Sequence, residues 1–139
     1  MSKKHFFLHP FLFAIYPVLF LYSENVRAYN LGDMLIPLAI VLSFTGIVYT
    51  ITHFIFKQWD RAAIITTSIV ITVFSYNRII EYFQGFAAKR TQESWIELGV
   101  VLFLCALLAL IIVATKRFQN KLLPVNKMLT IIVSILIII

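Results

Sequence analysis

MLIPLAIVLSFTGIVYTITHFIF, residues Met34 to Phe56, is an apolar run of 23 residues. As a helix it crosses a hydrocarbon core about 30 Å thick with length to spare. Pro37 falls in the first turn, where the missing amide proton has no helical acceptor to lose. The connector that follows, Lys57-Gln-Trp-Asp-Arg61, is short, and a second apolar run begins at Ala62. A link of this length predicts an antiparallel helical hairpin.

The same grammar extends in both directions. Towards the N-terminus, Phe6 to Tyr22 forms a run near the lower length limit, with Pro10 at its first turn and Pro17 placed to kink it. Towards the C-terminus, Ala62 to Ile80 is apolar to Phe74 and then mixed. Trp95 to Thr115 forms a fourth run, and a fifth begins after Pro124 and reaches Ile139. The segment from Met128 onward, MLTIIVSILIII, covers only about 18 Å as a helix. It therefore reads as a truncated fifth span of a longer chain. The fold expected is all-α: a polytopic helical membrane protein with four full transmembrane helices, about 6–22, 34–56, 62–80 and 95–115, plus the truncated fifth at 125–139. Residues 1–139 form one transmembrane domain without an internal repeat.

Composition agrees. The chain is 61% hydrophobic and 13% charged, with mean hydropathy +0.94, outside the range of soluble globular domains. The N-terminus resembles a signal peptide in having Lys3 and Lys4 before an apolar region. It lacks a small-residue cleavage pattern around Leu21 to Asn25, so the run reads as a retained span. The net charge of +6 comes from Lys and Arg lying between apolar runs. That arrangement favours lipid headgroups and excludes a nucleic-acid partner.

Charge placement sets an expected orientation. With the N-terminus in the cytoplasm, Lys3, Lys4, Lys57, Arg61, Lys116, Arg117, Lys121 and Lys127 lie inside, against Arg27, Arg78, Lys89 and Arg90 outside. Glu24, Asp33, Glu81, Glu93 and Glu97 fall outside. Trp59 and Trp95 sit at span edges, as interfacial aromatics do. The outer connector opens with RIIEYFQGFAAKR, from Arg78, whose apolar and charged residues alternate as in a helix extension or a surface-lying segment. Gly85 is positioned to end such an extension. Orientation gives the fifth span a direction: whatever follows it is carried outside.

Several residues carry possible chemistry. His5 and His9 have the four-residue spacing of a helical metal pair, and His53 and Asp60 fall near the same membrane face. A third ligand is not supplied by spacing, and interfacial histidines beside Lys3 and Lys4 are the simpler reading, so no metal and no cofactor is expected. Tyr76, Asn77, Arg78 and Glu81 at the outer end of the third span form a polar cluster that could face a lipid headgroup as substrate. The structural alternative is an Arg78–Glu81 helix pair with a snorkelling guanidinium. Ser43, Thr45, Gly46, Thr50 and Thr52 in the second span, and Thr66, Thr67, Ser68 and Thr72 in the third, suit close packing between those two helices. Cys105, the one cysteine, excludes an internal disulfide and reads as a small packing residue. No phosphate loop, paired intramembrane carboxylates or Ser-His-Asp set is present, so no catalytic residue is assigned.

His9-Pro10-Phe11-Leu12-Phe13-Ala14-Ile15-Tyr16-Pro17, followed by Leu19-Phe20-Leu21-Tyr22-Ser23-Glu24-Asn25, resembles the opening of a group of bacterial polytopic proteins, mostly uncharacterised. Val73-Phe74-Ser75-Tyr76 resembles the same group, and the likeness covers Leu8 to Tyr76. Some members look like membrane-anchored sulfatase-like hydrolases or transferases with an extracytoplasmic catalytic domain after the spans. Here Asn77-Arg78 stands where the group would have Gly-His. The resemblance implies an anchoring and assembly module in the inner membrane, preceding an extracytoplasmic domain. It agrees with the charge placement, which sets the N-terminus in the cytoplasm, that the continuation of the chain lies outside. The other reading is a small subunit of a transporter or of a lipid- or polysaccharide-processing complex. Its partners are the bilayer and other membrane helices or further copies of the chain.

Overall fold

The structure, a computed structural model, describes residues 7–25, 30–86 and 93–138. Its elements are α1 (His9–Glu24), α2 (Leu31–Phe56), α3 (Trp59–Phe86), α4 (Glu93–Arg117) and α5 (Leu122–Ile138), with a 3₁₀ turn at Gln119–Lys121 before α5. The described residues are all-helical. Lys3, Lys4, His5, Arg27, Lys89 and Arg90 lie outside them.

Among the described residues, three helical segments are long and apolar enough to cross a bilayer: Gly32–Phe56, Trp59–Phe83 and Trp95–Arg117. α1, with 16 residues, covers only about 24 Å. It starts at His9 rather than Phe6, because Pro10 occupies its first turn, and it continues through Pro17. α5 begins at Leu122, so Pro124 lies inside its first turn and not before the helix. α3 runs to Phe86 and absorbs the mixed segment after Arg78 as a helix extension.

Local chemistry explains the ends. α2 opens with a capping box in which the Asp33 carboxylate accepts from the Asn30 amide at 2.9 Å. It closes at Lys57, whose φ of 53° places it in the left-handed region, with its amide donating to the His53 carbonyl at 2.7 Å. The chain reverses at once into α3, whose first bond runs from the Ala62 amide to the Gln58 carbonyl at 3.0 Å.

The packing is that of an up-and-down bundle. α1 lies against α2, α3 and α5; α2 and α5 also contact α3; α4 packs chiefly on α3. Phe11 near the start of α1 meets Tyr49 near the end of α2, so these helices are antiparallel. α1 and α5 run parallel. His9 and Asn126 meet at one end, and Ser23 and Glu24 line a groove with Leu136–Ile138 at the other.

The distribution of polarity is inverted relative to a water-soluble fold. Ile36, Ile40, Phe54, Leu102 and Leu110 lie open on the outer surface, while His9, Thr45, Thr66 and Asn126 are fully buried. Exposed apolar surface on this scale is unstable in water and ordinary in lipid. Several hydroxyls, buried and outward, return to their own helix: Thr45 donates to the Val41 carbonyl at 2.8 Å, Thr50 to Gly46 at 2.8 Å and Ser68 to Ile64 at 2.9 Å. This satisfies them without water.

Candidate functional site: a buried polar node

α1, α3 and α5 point the same way, which brings their N-terminal turns to one end of the bundle. There His9 of α1 stands between the other two. Its Nδ1 lies 2.8 Å from the Thr67 hydroxyl and its Nε2 lies 2.8 Å from Asn126 Oδ1. The Asn126 amide nitrogen donates to the main-chain carbonyl of Asp60 at 3.1 Å.

The direction of this chain follows from what each group can do. A carbonyl only accepts, so the Asn126 nitrogen must face Asp60 and its oxygen must face His9. His9 Nε2 therefore donates. Its Nδ1 accepts from Thr67 when the imidazole is neutral. The hydroxyl proton is available, because among the described residues Thr67 makes no bond back to its own helix. Four polar groups from three helices are thus paired in one file, at a depth where an unpaired one is costly.

A second link lies beside it. The Thr52 and Thr66 hydroxyls are 2.9 Å apart, and Thr52 is also 2.9 Å from the Val48 carbonyl and 3.0 Å from that of Tyr49. Thr52 has a single proton, which suits either carbonyl, so Thr66 donates to Thr52. An aromatic layer covers both links. Phe11 meets Tyr49 edge-on at 5.9 Å between centroids, Tyr49 meets Trp59 at 5.6 Å, and Trp59 stacks on His53 at 3.6 Å. Phe7, Ala62 and Ala63 complete this core.

Several expectations change here. His9 is a buried cross-link and not an interfacial histidine. With both ring nitrogens engaged, it has no lone pair to offer a metal, and His5 lies outside the described residues. No group of three His, Cys, Asp or Glu is placed to hold a metal ion among the described residues. Trp59 sits at a helix start as expected but packs inward on His53, whereas Trp95 is exposed. Cys105 is exposed on α4 and is not a packing residue within this bundle.

The α2–α3 interface forms through Thr52 and Thr66, but Gly46 serves a different contact. It faces Phe11 of α1, whose Cε1 would lie 3.9 Å from an added Cβ. Ser43 and Thr50 line an open surface depression with Ile47 and Ile51. Tyr76, Asn77, Arg78 and Glu81 lie towards the other end of α3. Tyr76 is half-buried and the other three are exposed, and Arg78 and Glu81 approach to 3.7 Å with side chains 81% and 67% accessible. That exposure leaves their attraction screened by solvent or headgroups.

The class defined by these features is an all-helical bundle with bilayer-length helices and a polar internal fastening. No family model matches the chain, and no curated protein or solved structure matches it.

Proposed function

We propose that this chain is a multi-pass membrane module that anchors and assembles a larger bacterial inner-membrane protein, with its N-terminus in the cytoplasm. The observation that carries the reading is the inverted polarity of the bundle: open apolar faces outside, and a paired polar node within that ties α1, α3 and α5 together. Such a node holds helices in one register where lipid supplies no hydrophobic drive between them. The likeness of Leu8–Tyr76 to the opening of bacterial polytopic proteins supplies the setting. No reaction step is assigned to these residues.

Orientation rests on where the charges gather. Lys57, Arg61, Lys116, Arg117, Lys121 and Lys127 belong to the end of the bundle that holds His9. Glu24, Asp33, Glu81 and Glu97 belong to the opposite half. The basic end is the cytoplasmic one. Resistance to alkaline carbonate extraction tests membrane insertion. Reporter fusions test direction, with cytoplasmic activity expected at Gln58 and Phe118 and extracytoplasmic activity at positions 26–29 and 87–92. The reverse pattern overturns the orientation.

A second reading, a small subunit working by lateral packing, is favoured by α4. This helix leans chiefly on α3 and presents Cys105 and Ala109, one turn apart, on its exposed side. Small residues at that spacing let a further helix approach closely.

A further inference from the structure

Arg61 is the cation whose surroundings are least explained by the fold. It lies in the first turn of α3 and is only 8% exposed. Its guanidinium carbon sits 4.6 Å from the centroid of the Phe56 ring. Its Nε is shielded and has no hydrogen-bond partner among the described residues. No described carboxylate pairs with it: the ion pair among the described residues is Arg78–Glu81, towards the other end of the same helix. The adjacent Asp60 forms no ion pair with it, and its own Oδ1 is shielded without a hydrogen-bond partner among the described residues. A buried arginine whose Nε is shielded and unpaired, with no acidic partner, calls for an anion.

We propose that Arg61 binds the phosphate of an anionic phospholipid, of which phosphatidylglycerol is a simple example. The Phe56 ring covers one side of the guanidinium, leaving the terminal Nη groups to donate to phosphate oxygens. The helix itself adds to the attraction. The Ala62 amide makes the first intrahelical bond, to Gln58, so the amides of Trp59, Asp60 and Arg61 lie before it at the positive end of the helix dipole. Lys57 follows Phe56 directly. Lys116, Arg117 and Lys121 flank the turn into α5, which is tied to this end of α3 by the bond from Asn126 to Asp60. Asp60 is the one described acidic residue at this end, against those cations.

A lipid phosphate is favoured over a free one by depth. Arg61 sits just inside the end of a bilayer-length helix, the level at which headgroups of the adjoining leaflet stand, and basic sites between helices at that level take anionic headgroups. This proposal rests on the membrane reading above, and the two fail differently. Extraction of the chain by alkaline carbonate sinks the membrane reading. Loss of lipid preference in an embedded chain sinks only the lipid site.

The test uses the full chain in nanodiscs of phosphatidylcholine alone or mixed with phosphatidylglycerol, with lipid retention measured by native mass spectrometry. The native chain is expected to retain phosphatidylglycerol in preference to phosphatidylcholine. Arg61→Gln is expected to weaken that retention by about ten-fold, the scale of a lost charge-assisted hydrogen bond. Arg61→Lys keeps a charge but loses the planar fork and should fall between the two. Ser23→Ala, an exposed uncharged position at the opposite end of the bundle, should leave retention unchanged. Equal retention of the two lipids by the native chain, a result that needs no variant, overturns the proposal. So does unchanged retention in Arg61→Gln, or full displacement of the lipid by inorganic phosphate, which would assign the site to a free anion.

Discussion

His9 must satisfy two ring nitrogens with no water at hand, and the residues that meet it are matched to that need. Thr67 gives a proton, and Asn126 takes one while passing another to the Asp60 carbonyl. Replacing one member leaves its partner buried and unpaired, which is the expensive outcome. Replacing both by apolar groups is mild. Asn126→Leu is therefore expected to lower stability by about 1–2 kcal/mol, the upper range for interhelical hydrogen bonds in membranes. His9→Leu combined with Asn126→Leu should recover part of the loss. Thermal unfolding in detergent reads both, and an unchanged midpoint for Asn126→Leu would show that the node fastens nothing. None of this was legible from the residues alone. His9, four positions from His5 and close to Lys3 and Lys4, read as an interfacial histidine, while its true partners lie 58 and 117 positions away.

At the scale of helices, more could be read in advance. The 23-residue run from Met34, the tight Lys57–Arg61 connector and the small and hydroxylated residues of α2 and α3 foretold an antiparallel pair, and Thr52 meets Thr66 across it. What spacing did not tell is that a helix has several faces and several neighbours. Gly46 belongs to the contact with α1, where the Phe11 ring edge lies 3.9 Å from the place of an added Cβ. That distance is an ordinary contact, so Gly46→Ala is expected to be tolerated, or to stabilise α2 by up to about 1 kcal/mol through helix propensity. Gly46→Leu should push Phe11 off Tyr49 and loosen α1 from α2. Limited proteolysis near Asn25 and Asn30 compares the two variants; equal protection in both would show that the glycine has no packing role. Lys57 is a similar case. Its left-handed backbone at φ 53° makes the reversal possible but carries no glycine or asparagine signature, so the turn was visible only through its length.

For the whole molecule, the decisive relation is that α1 and α5 are parallel neighbours although they lie at opposite ends of the sequence. α4 is held chiefly through α3, and its outer side is open. Cys105, the sole cysteine of the chain, reports on that side. If copies pack through α4, a short bis-maleimide in native membranes is expected to yield a covalent dimer, and Cys105→Ser should abolish it. An absence of dimer, with Cys105 still labelled by a monofunctional maleimide, would count against pairing of copies through this face.

Composition and the spacing of apolar runs determined that this chain is helical, how it divides and which of its ends is basic, because those properties depend on residues that are neighbours in sequence. Burial of His9 and Asn126, the inward turn of Trp59, the exposure of Cys105 and the isolation of Arg61 were decided only by tertiary structure. Each depends on which face of one helix meets which face of another. In an apolar chain most faces look alike until a few polar groups, unable to remain unpaired, choose their partners.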